Sequence, residues 1–95
     1  MSNDATSVQI QVLFFASARE AAGNVSSIEM ELEQSNADTG VLRKKLAELY
    51  PKLATLVLDE DNITLALNEE YVASGQILSL KNGDTVALIP PISGG

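Results

Sequence analysis

One stretch of this chain repeats its apolar residues at a helical period, and the segments on either side of it alternate. In "SNADTGVLRKKLAELYPKL" the leucines stand at Leu42, Leu46, Leu49 and Leu53, at steps of four, three and four. That spacing lays them along one helical stripe and points Arg43, Lys44 and Lys45 largely away from it. Asp38 or Thr39 is placed to accept the orphan N–H groups at the helix start. Pro51 disfavours helical geometry at Tyr50 and ends the helix near there.

Ahead of the helix, "VQIQVLFF" sets Val8, Ile10, Val12 and Phe14 on one face and Gln9, Gln11, Leu13 and Phe15 on the other, so it reads as a strand. "SAREAAGNV" turns the chain, with Gly23 and Asn24 as the breaker. "SSIEMELEQ" alternates Ile28, Met30 and Leu32 against Glu29, Glu31 and Glu33, a half-buried strand with an acidic wet face that pairs with the first as a hairpin. After the helix, "ATLVL" is apolar but ambiguous, and "DEDN" reads as a turn. "ITLALN" alternates again, Asn68 and Glu69 turn the chain, and "EEYVAS" offers a short strand. "ILSL" is brief, "KNGD" is a turn, and "TVALIP" is the last strand, with Val86 and Leu88 on one face and Ala87 and Ile89 on the other.

A hairpin, one helix and then more strands predict an α+β layer, a mixed sheet packed on one main helix. The crossover through that helix lets the first and last strands lie parallel and adjacent in the middle of the sheet. "VLFF" and "VALI", apolar on both faces, suit that place. The 95 residues make one domain, long enough to bury roughly two-thirds of its unfolded surface. Residues 8–90 form its body, residues 1–7 a loose polar tail, and residues 91–95 an extended tail.

Chemistry of the usual kinds is scarce. Cysteine and histidine are absent, which removes thiolate nucleophiles, imidazole bases and the common zinc ligands. Ser, Asp and Glu alone show no nucleophile–base spacing. Six basic residues against thirteen acidic ones, with no Trp, argue against nucleic acid. Such acidity serves solubility or steers the chain toward a basic partner. No apolar run approaches the roughly 20 residues of a membrane span, and "MSNDATS" has neither signal-peptide nor transit-peptide character. The expected place is the cytoplasm, with no membrane contact.

The remaining handle is the end, "VALIPPISGG". Glycine has no Cβ, so another protein can close around Gly94 and Gly95 from every side, and Ser93 is small as well. Pro90 and Pro91 hold φ near about −65° and favour extended geometry, a stiff root for a slim tip. The tail can thread a narrow tunnel and present the carboxyl of Gly95 to a partner's reactive centre. Terminal glycines also occur as ordinary frayed ends, with Pro-Pro merely stopping the strand.

"VLFFASAREAAG" and "NGDTVALIPPISGG", together with the helix and "ALNEEYV", resemble the small, sulfur-carrying subunit of molybdopterin synthase, over nearly the whole chain. The resemblance implies the β-grasp fold of ubiquitin. It implies no cofactor bound by this chain. An adenylating, sulfur-transferring activating enzyme would use ATP and Mg²⁺ to convert Gly95 to an acyl-adenylate and then to a thiocarboxylate. Pro90, Pro91, Ile92, Ser93 and Gly94 would enter the large catalytic subunit within a heterotetramer of two small and two large subunits. Sulfur would pass there to a pterin precursor, with the catalytic residues on the large subunit. An apolar docking patch falls on Phe15, Tyr71 and Ile89. The strand reading independently sets Phe15 and Ile89 side by side on the outer face, although Phe15 could be a second-layer packing residue. Leu88 and Ile89 stand where some relatives carry aromatics, and Arg19-Glu20 matches a family pair with a local structural role. A ubiquitin-like protein modifier, a thiamine-pathway sulfur carrier and a plain interaction domain are the other readings.

Overall fold

The computed structural model describes residues 7–58, 63–73 and 75–90. The first strand, β1 (Ser7–Phe14), buries Val8, Ile10, Val12 and Phe14 and leaves Gln9 and Gln11 in water, the alternation expected of it. It opens at Ser7, which the sequence reading had assigned to the tail; Ser7 pairs with Glu33, and its hydroxyl donates to Glu31 Oε2 at 2.8 Å. β2 (Ser27–Glu33) returns antiparallel, burying Met30 and Leu32 and exposing its glutamates.

The connection between these strands is more than a turn. Residues Ala16–Ala21 form a short helix, α1, closed by Gly23 and Asn24 at φ of 82° and 68°. Six residues carry too little periodicity to be read as a helix. Ala18 and Ala22 are small enough to be buried beneath it against the core.

The main helix, α2 (Thr39–Leu49), starts and stops where expected. Asp38 is the N-cap, its Oδ1 accepting from Val41 N at 2.8 Å. Tyr50, at φ −129° and ψ 89°, leaves the helix as a residue before proline must. Pro51–Leu53 make a 3₁₀ turn, and the ambiguous "ATLVL" yields one further helical turn, α3 (Ala54–Val57). Leu42, Leu46 and Leu53 are fully buried. Leu49 is not: it is 58% exposed, because α2 ends there and Leu53 reaches the core through the 3₁₀ turn rather than along a continued stripe. Arg43 departs from expectation too, since it turns back to donate to the Val57 carbonyl at 2.8 Å.

β3 (Thr64–Leu67) and β4 (Glu70–Tyr71) form a tight hairpin around Asn68 and Glu69. "ILSL" adds no strand to the sheet. Instead its backbone joins the start of α2. Thr39 N donates to the Leu78 carbonyl at 3.0 Å and Leu80 N to the Ala37 carbonyl at 2.8 Å. The buried Thr39 hydroxyl accepts from Leu78 N at 3.1 Å. The turn before β5 (Thr85–Ile89) is bolted to β1: Gln9 N donates to Asn82 Oδ1, and Gly83 N, at φ 91°, donates to the Gln9 carbonyl at 2.7 Å. These bonds set the register of the parallel pair, in which Val12 faces Val86 and Phe14 faces Leu88.

The sheet order is β2-β1-β5-β3-β4, with the first and last strands parallel at its centre. One face packs on the helices around Phe14, Leu42, Leu46, Leu53, Leu65 and Leu88. The rings of Phe14 and Tyr50 meet edge to face at 5.6 Å. This is the β-grasp arrangement. The expected "DEDN" turn, and the tail residues Pro91, Ile92, Ser93, Gly94 and Gly95, lie outside the described residues.

Candidate functional site

Among the described residues, no helix covers the other face of the sheet. Strand register runs one row of side chains across it, from Leu13 through Ala87 and Ala66 to Tyr71. A neighbouring row joins Ile89 to Thr64. Phe15 lies one step past the Phe14–Leu88 pair, and its N–H donates to the Leu88 carbonyl at 3.3 Å, so its ring comes beside Ile89. Small residues in the middle and large ones around them leave a concavity of about 540 Å³, whose lining includes Phe15, Tyr71 and Ile89. The three residues singled out in the sequence therefore meet at one place. Phe15 is 47% exposed and Tyr71 75%, so Phe15 is not a second-layer packing residue.

The same face changes character along β1. Toward the start of the strand, Gln11 and Gln9 face Glu29 and Glu31 of β2. An apolar half thus adjoins an acidic half. Arg19 and Glu20 are exposed on α1, and the Arg19 carbonyl takes the N–H groups of Ala22 and Asn24, a local role in closing that helix.

Pro90 follows Ile89 directly and is buried. It sits in the body of the domain, within residues 8–90, although the resemblance groups it with the segment that enters the partner, and there it fixes the direction in which the chain leaves β5. Because Ile89 lies in the concavity, the chain departs from its rim.

Sequence reasoning missed the backbone strain here. Glu69, at φ 74°, also lines the concavity, and Ala16, at φ 51°, follows Phe15. Left-handed backbone at a residue with a Cβ costs about 1–2 kcal/mol. The Asn68-Glu69 turn was legible, since a two-residue hairpin needs positive φ at both centres and asparagine tolerates it. Asn68 is held further by its side chain, which accepts from Thr85 N at 2.9 Å and donates to Asp84 Oδ1 at 3.0 Å. No signal in the sequence marked Ala16.

Among the described residues, no group of three or more His, Cys, Asp or Glu side chains is placed to hold a metal ion. The described part of the site can present a surface and aim a tail. It offers no acid–base pair or nucleophile of its own.

Comparison with known proteins agrees with this geometry. A family model, the ThiS family, matches residues 12–95. The molybdopterin synthase sulfur carrier subunit of Chlamydomonas reinhardtii is 41% identical over 88 residues, covering 93% of this chain and 100% of that protein. The one from Arabidopsis thaliana is 39% identical over 94 residues, covering 99% and 91%. Among solved structures, the Haloferax volcanii HVO 2177 protein superposes with a TM-score of 0.81 at 26% identity, covering 100% of this chain and 93% of that one. Small archaeal modifier protein 1 from H. volcanii gives 0.73 at 26%, covering 90% and 99%. The Helicobacter pylori complex of subunits 1 and 2 of molybdopterin-converting factor contains a chain that gives 0.66 at 24%, covering 93% and 100%, a likeness of fold. The chain belongs to the ThiS family of β-grasp proteins, that of the molybdopterin synthase sulfur carrier subunits.

Proposed function

We propose that this chain is the sulfur carrier and small subunit of a molybdopterin synthase, working in the cytoplasm, with Gly95 as the atom-bearing residue. An activating enzyme would bind ATP and Mg²⁺. The Gly95 carboxylate would attack the α-phosphorus, forming the acyl-adenylate and releasing pyrophosphate. A sulfur nucleophile from the activating enzyme would then displace AMP from the acyl carbon. With a persulfide as that nucleophile the product is an acyl disulfide; a second thiol would attack the donor's sulfur, forming a disulfide there and releasing Gly95 as a thiocarboxylate. In the synthase the thiocarboxylate sulfur would attack a carbon of the pterin precursor and displace an oxygen leaving group from it. Water then adds at the Gly95 carbonyl, the C–S bond breaks, and the carrier regains its carboxylate while sulfur stays on the precursor.

What this chain supplies is access and placement. Gly94 and Gly95 let catalytic walls approach the backbone closely, while Phe15, Tyr71 and Ile89 offer apolar area for docking on the large subunit. The observation that carries the reading is the junction at the end of β5: Ile89 lies in the concavity and the next residue, Pro90, is buried. A partner seated on the concavity is thereby beside the root of the tail. The H. pylori subunit 1 is a relative in fold that is complexed with a subunit 2, which supports a large-subunit partner here. A tetramer of two small and two large subunits is the assembly proposed.

The intact mass of the protein from cells tests this. A thiocarboxylate adds about 16 Da to the carboxylate form, and the charged protein should yield molybdopterin when mixed with the large subunit and precursor. Full activity after deletion of Gly95 would end the proposal. The likeness to a small archaeal modifier protein favours a second reading, attachment to lysines of target proteins; conjugates in the same mass analysis would reveal it.

A further inference from the structure

Four non-glycine residues among those described hold positive φ: Ala16, Asn24, Asn68 and Glu69. Asparagine adopts this region readily because its short amide bonds locally; alanine and glutamate do not. Of the two costly cases, Glu69 lies in the lining of the concavity and Ala16 directly follows Phe15, which is also in that lining. Strain of this kind persists where surrounding structure enforces it, and it gathers at ligand clamps. At the second centre of a tight hairpin turn, glycine would adopt φ 74° without strain. A glutamate there calls for another reason.

Among the described residues, the lining of the concavity contains no lysine or arginine. A protein that covers the concavity would also draw the Glu69 carboxylate out of water. An ionised carboxylate desolvated without a counter-charge opposes binding strongly. We propose that Glu69 is a specificity-determining residue of this surface: its carboxylate, at the tip of the β3–β4 hairpin, receives a cationic side chain of the subunit that docks on Phe15, Tyr71 and Ile89. The inference rests on the docking reading above and adds the chemistry of the partner. It also gives discrimination, since a surface with an acidic group at that point would be repelled.

The test is the dissociation constant and association rate of the full chain with the large synthase subunit, at low and high salt, for wild type, E69Q, E69G, E69K and F15A. E69Q should bind roughly tenfold more weakly, with the difference in association rate narrowing as salt rises. E69K should lose more than E69Q. E69G should lose as much as E69Q while its melting temperature is no lower than wild type, which separates the charge from the fold. Wild-type binding by both E69Q and E69G alongside weakened F15A would overturn the role of Glu69 and leave the docking surface standing. Unchanged binding by all the variants would remove both.

Discussion

Phe14 and Phe15 are neighbours in the chain and face opposite sides of the sheet: Phe14 is 2% exposed, in the core against Tyr50, and Phe15 is 47% exposed on the bare face. The same residue type therefore does two separable things.

Phe14→Ala should destabilise the domain by about 3–5 kcal/mol, since it empties a fully enclosed site beneath the helices. Phe15→Ala should change stability by less than about 0.5 kcal/mol yet weaken large-subunit binding by about 2 kcal/mol. Denaturant unfolding and calorimetric titration on both variants check this. Equal destabilisation by the two would contradict the assignment of faces.

Ala16→Gly should raise stability by about 0.5–1 kcal/mol, because glycine adopts the left-handed conformation without a Cβ clash and thereby offsets its looser unfolded state. Thermal unfolding reads this directly. A loss of stability would mean that the corner after β1 gains more from the methyl group than the backbone loses.

Thr39→Val keeps the shape of a buried side chain but leaves Leu78 N–H without its acceptor. The expected loss is about 1–3 kcal/mol. Thr39→Ser should recover a large part of it, since the hydroxyl returns. Hydrogen exchange at Leu78 and Leu80 should accelerate in the valine variant ahead of the sheet amides.

Gly94→Trp should abolish activation or sulfur transfer while the melting temperature stays within about 3 °C of wild type. A steady-state synthase assay and a mass spectrum of the C-terminal peptide locate the blocked step. Activity comparable to wild type would show that close approach to the backbone at this position is unnecessary.

Much of this could be read from residue order, and the reasons are local. Alternation in β1 and β2 is a period-two signal that survives any packing, so Val8 to Phe14 and Met30 to Leu32 declared their faces. Asp38, Pro51 and the Asn68 turn act through bonds or torsions within a few residues. The meeting of Phe15 with Ile89 followed from topology, because a helical crossover makes β1 and β5 parallel neighbours. What escaped depends on distant partners. Leu49 kept its helical phase but stood at the end of α2, where the stripe no longer had core to cover. "ILSL" was claimed by Thr39, 39 residues earlier than Leu78, rather than by the sheet. The left-handed backbone at Ala16 is imposed by the corner around it and leaves no mark in composition. Pro90 is grouped with the entering segment by the resemblance and is buried by position.

Of the described strands, β5, which fills the middle of the sheet, is made last. Until β5 has left the ribosome, β1 has a partner on one edge only, and β3 and β4 have nothing to join. The concavity, built from β1, β3 and β5, does not exist before then. Vectorial synthesis thus imposes an order on assembly: a product that ends before β5 lacks both the centre of the sheet and the concavity built on it.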